Sequence, residues 1–214
     1  MPDIKIISFD VDGTLVDPNF NDKVWLYEIP RLYAEKHHLD FEEAKKRVIA
    51  EYEKVGENDL RWYDLEYWAR FFGFNLTFAK ILEKFSGEVI VYADVVPVLD
   101  LLQKKHPLII ITAMPREFIA PKMKNLGHYF SKMYSCLTDF KSLKSTDCFG
   151  KICREMKIKP EELMHVGDHP EFDCRIPAEI GINTVLIRRT GQNVPDSRIK
   201  NVRVIKTLQE LEFV

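Results

Sequence analysis

Ile4-Lys5-Ile6-Ile7-Ser8-Phe9-Asp10-Val11-Asp12-Gly13-Thr14-Leu15 opens the chain with a short apolar run that ends in two acids and a glycine. The run reads as a strand buried on both faces, the texture of a parallel sheet. Residues i and i+2 leaving a strand project to the same side, so Asp10 and Asp12 converge on one point. Gly13 permits a backbone turn that a residue with Cβ would resist. Carboxylates this close repel one another unless a cation or a substrate group compensates. An Asx-turn that merely ends a strand is the competing reading of the same residues.

Working outward, residues 108–112, 133–136, 164–166, 184–187 and 202–205 are further short apolar runs. Helical patterns separate most of them, at 95–105, 115–126, 145–157, 171–180 and 207–211, with Pro115 in a first turn and Gly127 as a C-cap. Repeated strand–helix–strand order predicts an α/β fold, a doubly wound, Rossmann-like parallel sheet. Residues 18–88 differ. Asp40-Phe41-Glu42-Glu43 has the form of a capping box, and Phe78, Ile81, Leu82 and Phe85 make a helical stripe. Fifteen of the 25 aromatic residues, including Trp25, Trp62 and Trp68, lie between 20 and 85, which predicts an inserted all-α module with its own aromatic core. Pro30 predicts a kink or boundary near Ile29. The expected division is a discontinuous α/β core, 1–17 and 89–214, and a helical cap, 18–88.

Two more strand ends carry chemistry. Thr112 closes Leu108-Ile109-Ile110-Ile111, and Asp168 follows Met164-His165-Val166-Gly167. Open α/β sheets place ligands at this edge. A cluster of Asp10, Asp12, Thr112 and Asp168 is an all-oxygen set suited to Mg²⁺.

These motifs, in this order, resemble the haloacid dehalogenase-like (HAD) hydrolase superfamily, specifically its phosphatase-type members with a helical cap between the first and second motifs. The first motif reads as Asp10 to Thr14, the second as Thr112, and the fourth as Gly167-Asp168 through Asp173. The third is a lysine upstream of the fourth; Lys144, 24 residues before Asp168, fits best, with Lys141 and Lys151 as competitors. Ala113 after the motif threonine and Ser145 after the lysine depart from the common pattern. The resemblance implies a Mg²⁺-dependent phosphatase in which Asp10 attacks phosphorus and forms an aspartyl-phosphate. Asp10, Asp168 and the backbone carbonyl of Asp12 would hold the metal. The Asp12 carboxyl would be the general acid and base, Lys144 and Thr112 would hold the phosphoryl group, and Asp173 would orient the metal's surroundings or Lys144. A mutase of the β-phosphoglucomutase type would need the same acid. A dehalogenase would not, because halide leaves without a proton. A non-catalytic phosphate-binding module is the reading from outside the enzymes. Cleft-facing cap aromatics, with Trp25 and Trp62 as candidates, would select small phosphorylated metabolites.

Composition agrees. The 214 residues are 46% hydrophobic and 30% charged with a net charge of -2, so no basic excess exists to bind nucleic acid. No apolar run approaches the roughly 20 residues of a membrane helix, and Met1-Pro2-Asp3 lacks a basic signal-peptide start. A cytoplasmic monomer or homodimer is expected. Cysteines 136, 148, 153 and 174 form no C-x-x-C and read as reduced thiols. His37-His38 reads as a helix end, His169 as a loop residue and Arg188-Arg189 as a solvated pair.

Overall fold

The structure is a computed structural model that describes residues 3–75, 78–189 and 202–211. Met1, Pro2 and, within the expected core span, residues 190–201 and 212–214 lie outside the described residues. β1 (Ile6–Phe9) is followed by helices α1 (Asn19–Asp22), α2 (Ile29–His37), α3 (Phe41–Val55), α4 (Leu65–Phe72) and α5 (Phe78–Phe85). Strands and helices then alternate: α6 (Val95–Leu102), β2 (Leu108–Thr112), α7 (Arg116–Lys122), β3 (Phe130–Ser135) and α8 (Cys136–Phe140). The rest are α9 (Thr146–Met156), β4 (Leu163–Gly167), α10 (Ile176–Ala178), β5 (Asn183–Ile187) and β6 (Arg203–Ile205).

The six strands form one parallel sheet in the order β3-β2-β1-β4-β5-β6. Every residue of β1, β2 and β4 is buried, which is why each reads as a continuous apolar run. Alternate residues feed the two faces: Ile7, Phe9, Leu108 and Ile110 pack on one side, Ile6, Ile109 and Ile111 on the other. The order reverses between β1 and β4, so a crevice opens where Asp10 and Asp168 emerge.

Between β1 and α6 the chain is helical, as expected. It leaves past Asp17 and returns at Ile90, where Asp17 N–H donates to the Ile90 carbonyl at 2.8 Å and Tyr92 N–H to Leu15 at 3.1 Å. A π-helical stretch, Lys23–Glu28, joins α1 to α2. Pro30 has no N–H for the turn behind it, and widening that turn is one way to absorb the loss. Phe20, Val24, Trp68, Phe72, Ile81, Leu82 and Phe85 form the aromatic core; the side chain of Phe78 lies outside what is described. Met114 and Phe118, from the sheet side, complete that core, with Trp25 stacked on Phe118 at 5.6 Å and 2°.

Several local expectations are corrected. α7 ends at Lys122 rather than 126, because Pro121 inside it removes a backbone donor. Pro115 is an extended N-cap, and Gly127 opens a short 3₁₀ turn instead of capping the helix. β3 starts at Phe130, Cys136 begins an unforeseen helix, and the 171–180 helix starts as a π-helical turn, Pro170–Arg175. Asp40 accepts from Glu43 N–H at 3.0 Å, but Glu43 pairs with Arg47 rather than closing the box. The four cysteines are buried free thiols.

Arg189 is the largest correction. It is not solvated: it bonds Asp94 through two 2.6 Å contacts, donates to the Thr14 carbonyl and lies 4.2 Å over the Tyr92 ring. Asp94 also accepts from Leu208 N–H at 2.6 Å, fastening the chain's last described turn to the start of α6. Asp94→Ala leaves a guanidinium only 10% exposed without its partner, so urea unfolding should show a loss of about 3 kcal/mol. An unchanged midpoint would mean the pair is energetically idle.

Candidate active site

The strand register builds the site. Phe9 of β1 pairs with Ile110 of β2 and Val166 of β4, so the residues that follow leave at one edge. Asp10 N–H donates to the Val166 carbonyl at 2.9 Å, continuing the ladder one step into the loop. Gly13 then turns with φ +70°, and a Cβ there would collide with the Asp168 carboxylate. A Cβ at Gly167 would likewise collide with the carboxylate of Asp173. The two glycines are what let the acids of β4's loop approach the loop of β1.

Lys144 sits between them. Its buried ammonium donates to Asp10 Oδ1 at 2.6 Å and to Asp173 Oδ1. Asp173 also faces His165 Nε2 at 3.1 Å and accepts the His169 N–H at 2.9 Å. His165 is wholly buried on β4, with Nδ1 2.8 Å from Ser8 Oγ. Burial lowers its pKa, and Nε2 is the ring nitrogen that faces the Asp173 carboxylate. Burial opposes ionisation of Asp173, but Lys144 and the His165 hydrogen bond outweigh it and hold the pKa below the ordinary carboxylate value. For Asp10, burial wins over the pull of Lys144 and pushes the carboxyl up to about 7. Burial, then the charges of Asp10 and Asp173, push Asp168 well above its usual value.

One oxygen from each of Asp10, Asp168 and Asp173 lies within 4.8 Å of the others. Three carboxylates face one ammonium, and a divalent cation would remove the imbalance. The donor set is all oxygen, as Mg²⁺ requires. The oxygens are not equally available: those of Asp173 are taken by Lys144, His165 and His169. Among the described residues Asp10 Oδ2 and the Asp168 carboxylate accept no hydrogen bond. The open positions are therefore on Asp10 and Asp168.

Asp12 points elsewhere. Both its oxygens are bound by Lys122 Nζ, at 2.6 and 2.7 Å. Thr112 is buried at the end of β2, its Oγ1 accepting Met114 N–H at 3.3 Å. Of the three candidate lysines only Lys144 reaches Asp10. Lys141 is an exposed left-handed C-cap and Lys151 pairs with Asp147 on α9. Ser145, where the common pattern has proline, caps α9 through Cys148 N–H. His169 is the N-cap of the turn after Asp168, with Nε2 3.6 Å from Glu57 of the helical segment.

Trp25 and Trp62 are half-buried in the aromatic core, both edge-on to Tyr52. Tyr63, beside Trp62, is the helical-segment residue that feels Lys144, Asp10 and Asp173. Burial first, then Glu57, raises its pKa and keeps the phenol neutral. A groove of about 1080 Å³ runs between α4–α5 and α7–α8, lined by Leu65, Phe74, Leu82, Phe118 and Leu137, and none of the acids lines it.

Lys122, His165 and Tyr63 were missed by sequence reasoning. Lys122 had left a trace: it shares the buried phase of α7 with Phe118 and Ile119. Gly13→Ala would meet both the positive φ and the Asp168 carboxylate, so a stability loss of about 2 kcal/mol is expected in chemical unfolding. Stability within error of the parent would show that the loop relaxes around Cβ.

A family model for haloacid dehalogenase-like hydrolase matches residues 4–181. The GMP/IMP nucleotidase YrfG of Escherichia coli (strain K12) is 25% identical over 201 residues, 92% of this chain and 86% of its own. A HAD phosphatase from Thermococcus onnurineus superposes with a TM-score of 0.82 at 25% identity, covering 98% of this chain and 96% of that one. A 2-haloacid dehalogenase from Pseudomonas syringae pv. Tomato DC3000 has the same fold, with a TM-score of 0.59 at 21% identity over 98% and 96% of the two chains. One fold thus carries more than one reaction, and the residues at the site must choose between them. Matched by the family model over most of its length and carrying the four motifs at one sheet edge, the chain belongs to the haloacid dehalogenase-like hydrolases.

Proposed function

We propose that the protein is a Mg²⁺-dependent phosphatase of small phosphorylated metabolites that works through an aspartyl-phosphate on Asp10. The observation that carries this reading is the buried Asp10 carboxylate, with Oδ1 fixed by Lys144 and Oδ2 open. Asp10 Oδ2, Asp168 and the backbone carbonyl of Asp12 would hold the ion. When bound, Mg²⁺ supplies the positive charge that lets a carboxylate approach an anionic phosphate.

The chain's own groups do the rest. Lys144 fixes the nucleophile and offsets charge on the phosphoryl oxygens, with Thr112 at the neighbouring strand end as a further donor. Asp10 Oδ2 attacks phosphorus, the ester P–O bond breaks, and the leaving oxygen takes a proton from the Asp12 carboxyl. Water then attacks the aspartyl-phosphate and gives its proton to Asp12. The acyl phosphate P–O bond breaks, releasing inorganic phosphate and restoring Asp10. An acid in the Asp12 position typically contributes about 100- to 10,000-fold. A departing halide needs no such acid, so Asp12 favours phosphate esters over haloacids.

Residues 18–88 act as a cap over 1–17 and 89–214, joined at the Asp17–Ile90 crossing. Tyr63, which feels the charges of Asp10, Asp173 and Lys144, and Glu57, 3.6 Å from His169 Nε2, would contact the leaving group. Because the Escherichia coli relative is a GMP/IMP nucleotidase, nucleoside 5′-monophosphates are the first substrates to test.

With nitrophenyl phosphate and Mg²⁺, turnover should vanish on adding EDTA and return with excess metal. Asp10→Asn should lower kcat by about 1000-fold or more while the fold persists. Asp168→Ala should raise the half-saturating metal concentration about 100-fold. Appreciable turnover by Asp10→Asn would reject the covalent route, and an unmoved titration would remove Asp168 from the metal. Tyr63→Phe should change the ranking among phosphorylated metabolites more than it changes nitrophenyl phosphate hydrolysis. A uniform change would deny Tyr63 a part in selection.

A further inference from the structure

Lys122 has no part in the chemistry above, yet it is among the most deeply buried charges described, with its side chain 0% exposed. Its ammonium has three N–H donors and meets three acceptors: Asp12 Oδ1 at 2.6 Å, Asp12 Oδ2 at 2.7 Å and Asn21 Oδ1 at 2.7 Å. Its centre lies 5.3 Å from the Phe20 ring and 5.6 Å from the Phe118 ring. Phe20 and Asn21 belong to α1 of the helical segment; Phe118 and Lys122 belong to α7, the helix that follows Thr112. A buried ion pair is a poor source of stability, because desolvating both charges offsets most of their attraction. A methionine would fill the same slot between the two rings without that cost, so the charge is better explained by what it grips.

We propose that Lys122 is a positioning residue that holds the Asp12 carboxyl and, through Asn21, ties its orientation to the first helix of the cap. This rests on the reading of Asp12 as the general acid and base. Lys122 touches both oxygens of Asp12, so it can keep one while the other carries the proton toward the leaving oxygen. Its third N–H is committed to the cap. A displacement of α1 relative to α7 therefore moves the ammonium and turns the Asp12 carboxyl with it. The placement of the acid and the placement of the cap are one setting, made by a single side chain.

The test compares Lys122→Met, Asp12→Asn, the double variant and Asn21→Ala in the full chain with Mg²⁺. Two substrates are used: nitrophenyl phosphate, whose leaving group departs without a proton, and a primary alkyl phosphate, whose leaving group needs one. Lys122→Met should lower kcat on the alkyl ester by about 100-fold while slowing the nitrophenolate burst by no more than about threefold. In the Asp12→Asn background the same substitution should cost nothing further, because Lys122 acts only through Asp12. Asn21→Ala should give the same selective loss, smaller in size, and it carries the test if Lys122→Met does not fold. In metal-free protein, Asp12→Asn and Lys122→Met should each lower the melting midpoint, and the double variant should recover part of the loss by removing both charges. Equal losses in the alkyl-ester rate and the nitrophenolate burst, or an undiminished loss in the Asp12→Asn background, would overturn the proposal. If Asp12→Asn itself shows no dependence on the leaving group, the acid–base reading fails and the proposal with it. If Asp12→Asn shows the dependence and both Lys122→Met and Asn21→Ala lack it, only the positioning role fails.

Discussion

Three carboxylates are held within 4.8 Å of one another around a single ammonium, in a place from which water is largely excluded. At an effective dielectric constant near 20, unit charges about 4 Å apart interact by roughly 4 kcal/mol. One lysine cannot balance that repulsion, and burial together with the remaining repulsion raises the pKa values of Asp10 and Asp168. The scaffold must supply what the charges do not. Fully buried strands β1, β2 and β4 set the edge from which the acids emerge. Gly13 and Gly167 remove the two Cβ atoms that would otherwise keep the acids apart. His165 and the His169 amide hold Asp173 as an anion, so that it serves Lys144. Such a site carries a standing affinity for positive charge, and that is the preorganisation phosphoryl transfer needs.

What could be read from the sequence follows from how each residue is placed. Asp10, Thr112 and Asp168 each sit at the end of a run whose burial is visible as unbroken Ile, Val and Leu, so their convergence follows from sheet topology alone. Lys144 was legible only through its distance from Asp168, because its loop has no periodicity of its own. Arg189 and Lys122 were not legible in the same way. A basic residue is usually solvated, and its burial is decided by a distant acid, Asp94 for one and Asp12 for the other. Trp25 and Trp62 pack, half-buried, against the aromatic core of the helical segment. Tyr63, beside Trp62, has a polar tip and feels the charges of Asp10 and Asp173. Prolines were uneven guides: Pro30 marked its boundary correctly, while Pro121 shortened a helix whose apolar pattern continued.

The same helix decides how the two parts of the chain can move. α7 leaves the sheet two residues after Met114, buries Phe118 in the cap's aromatic core and ends on Lys122 beneath α1. At the crossing, the two segments are joined by the backbone bonds Asp17–Ile90 and Leu15–Tyr92. The aromatic layer cannot open cheaply: separating Trp25 and Phe20 from Phe118 would return to water rings that each bury on the order of 150–250 Å². A slide of α1 across α7 would keep those rings in contact, whereas an opening would not. Asn21 and Lys122 lie on the two sides of that sliding surface. With Lys122 positioning Asp12 as proposed, a displacement of α1 along that surface would reach the Asp12 carboxyl through a single side chain.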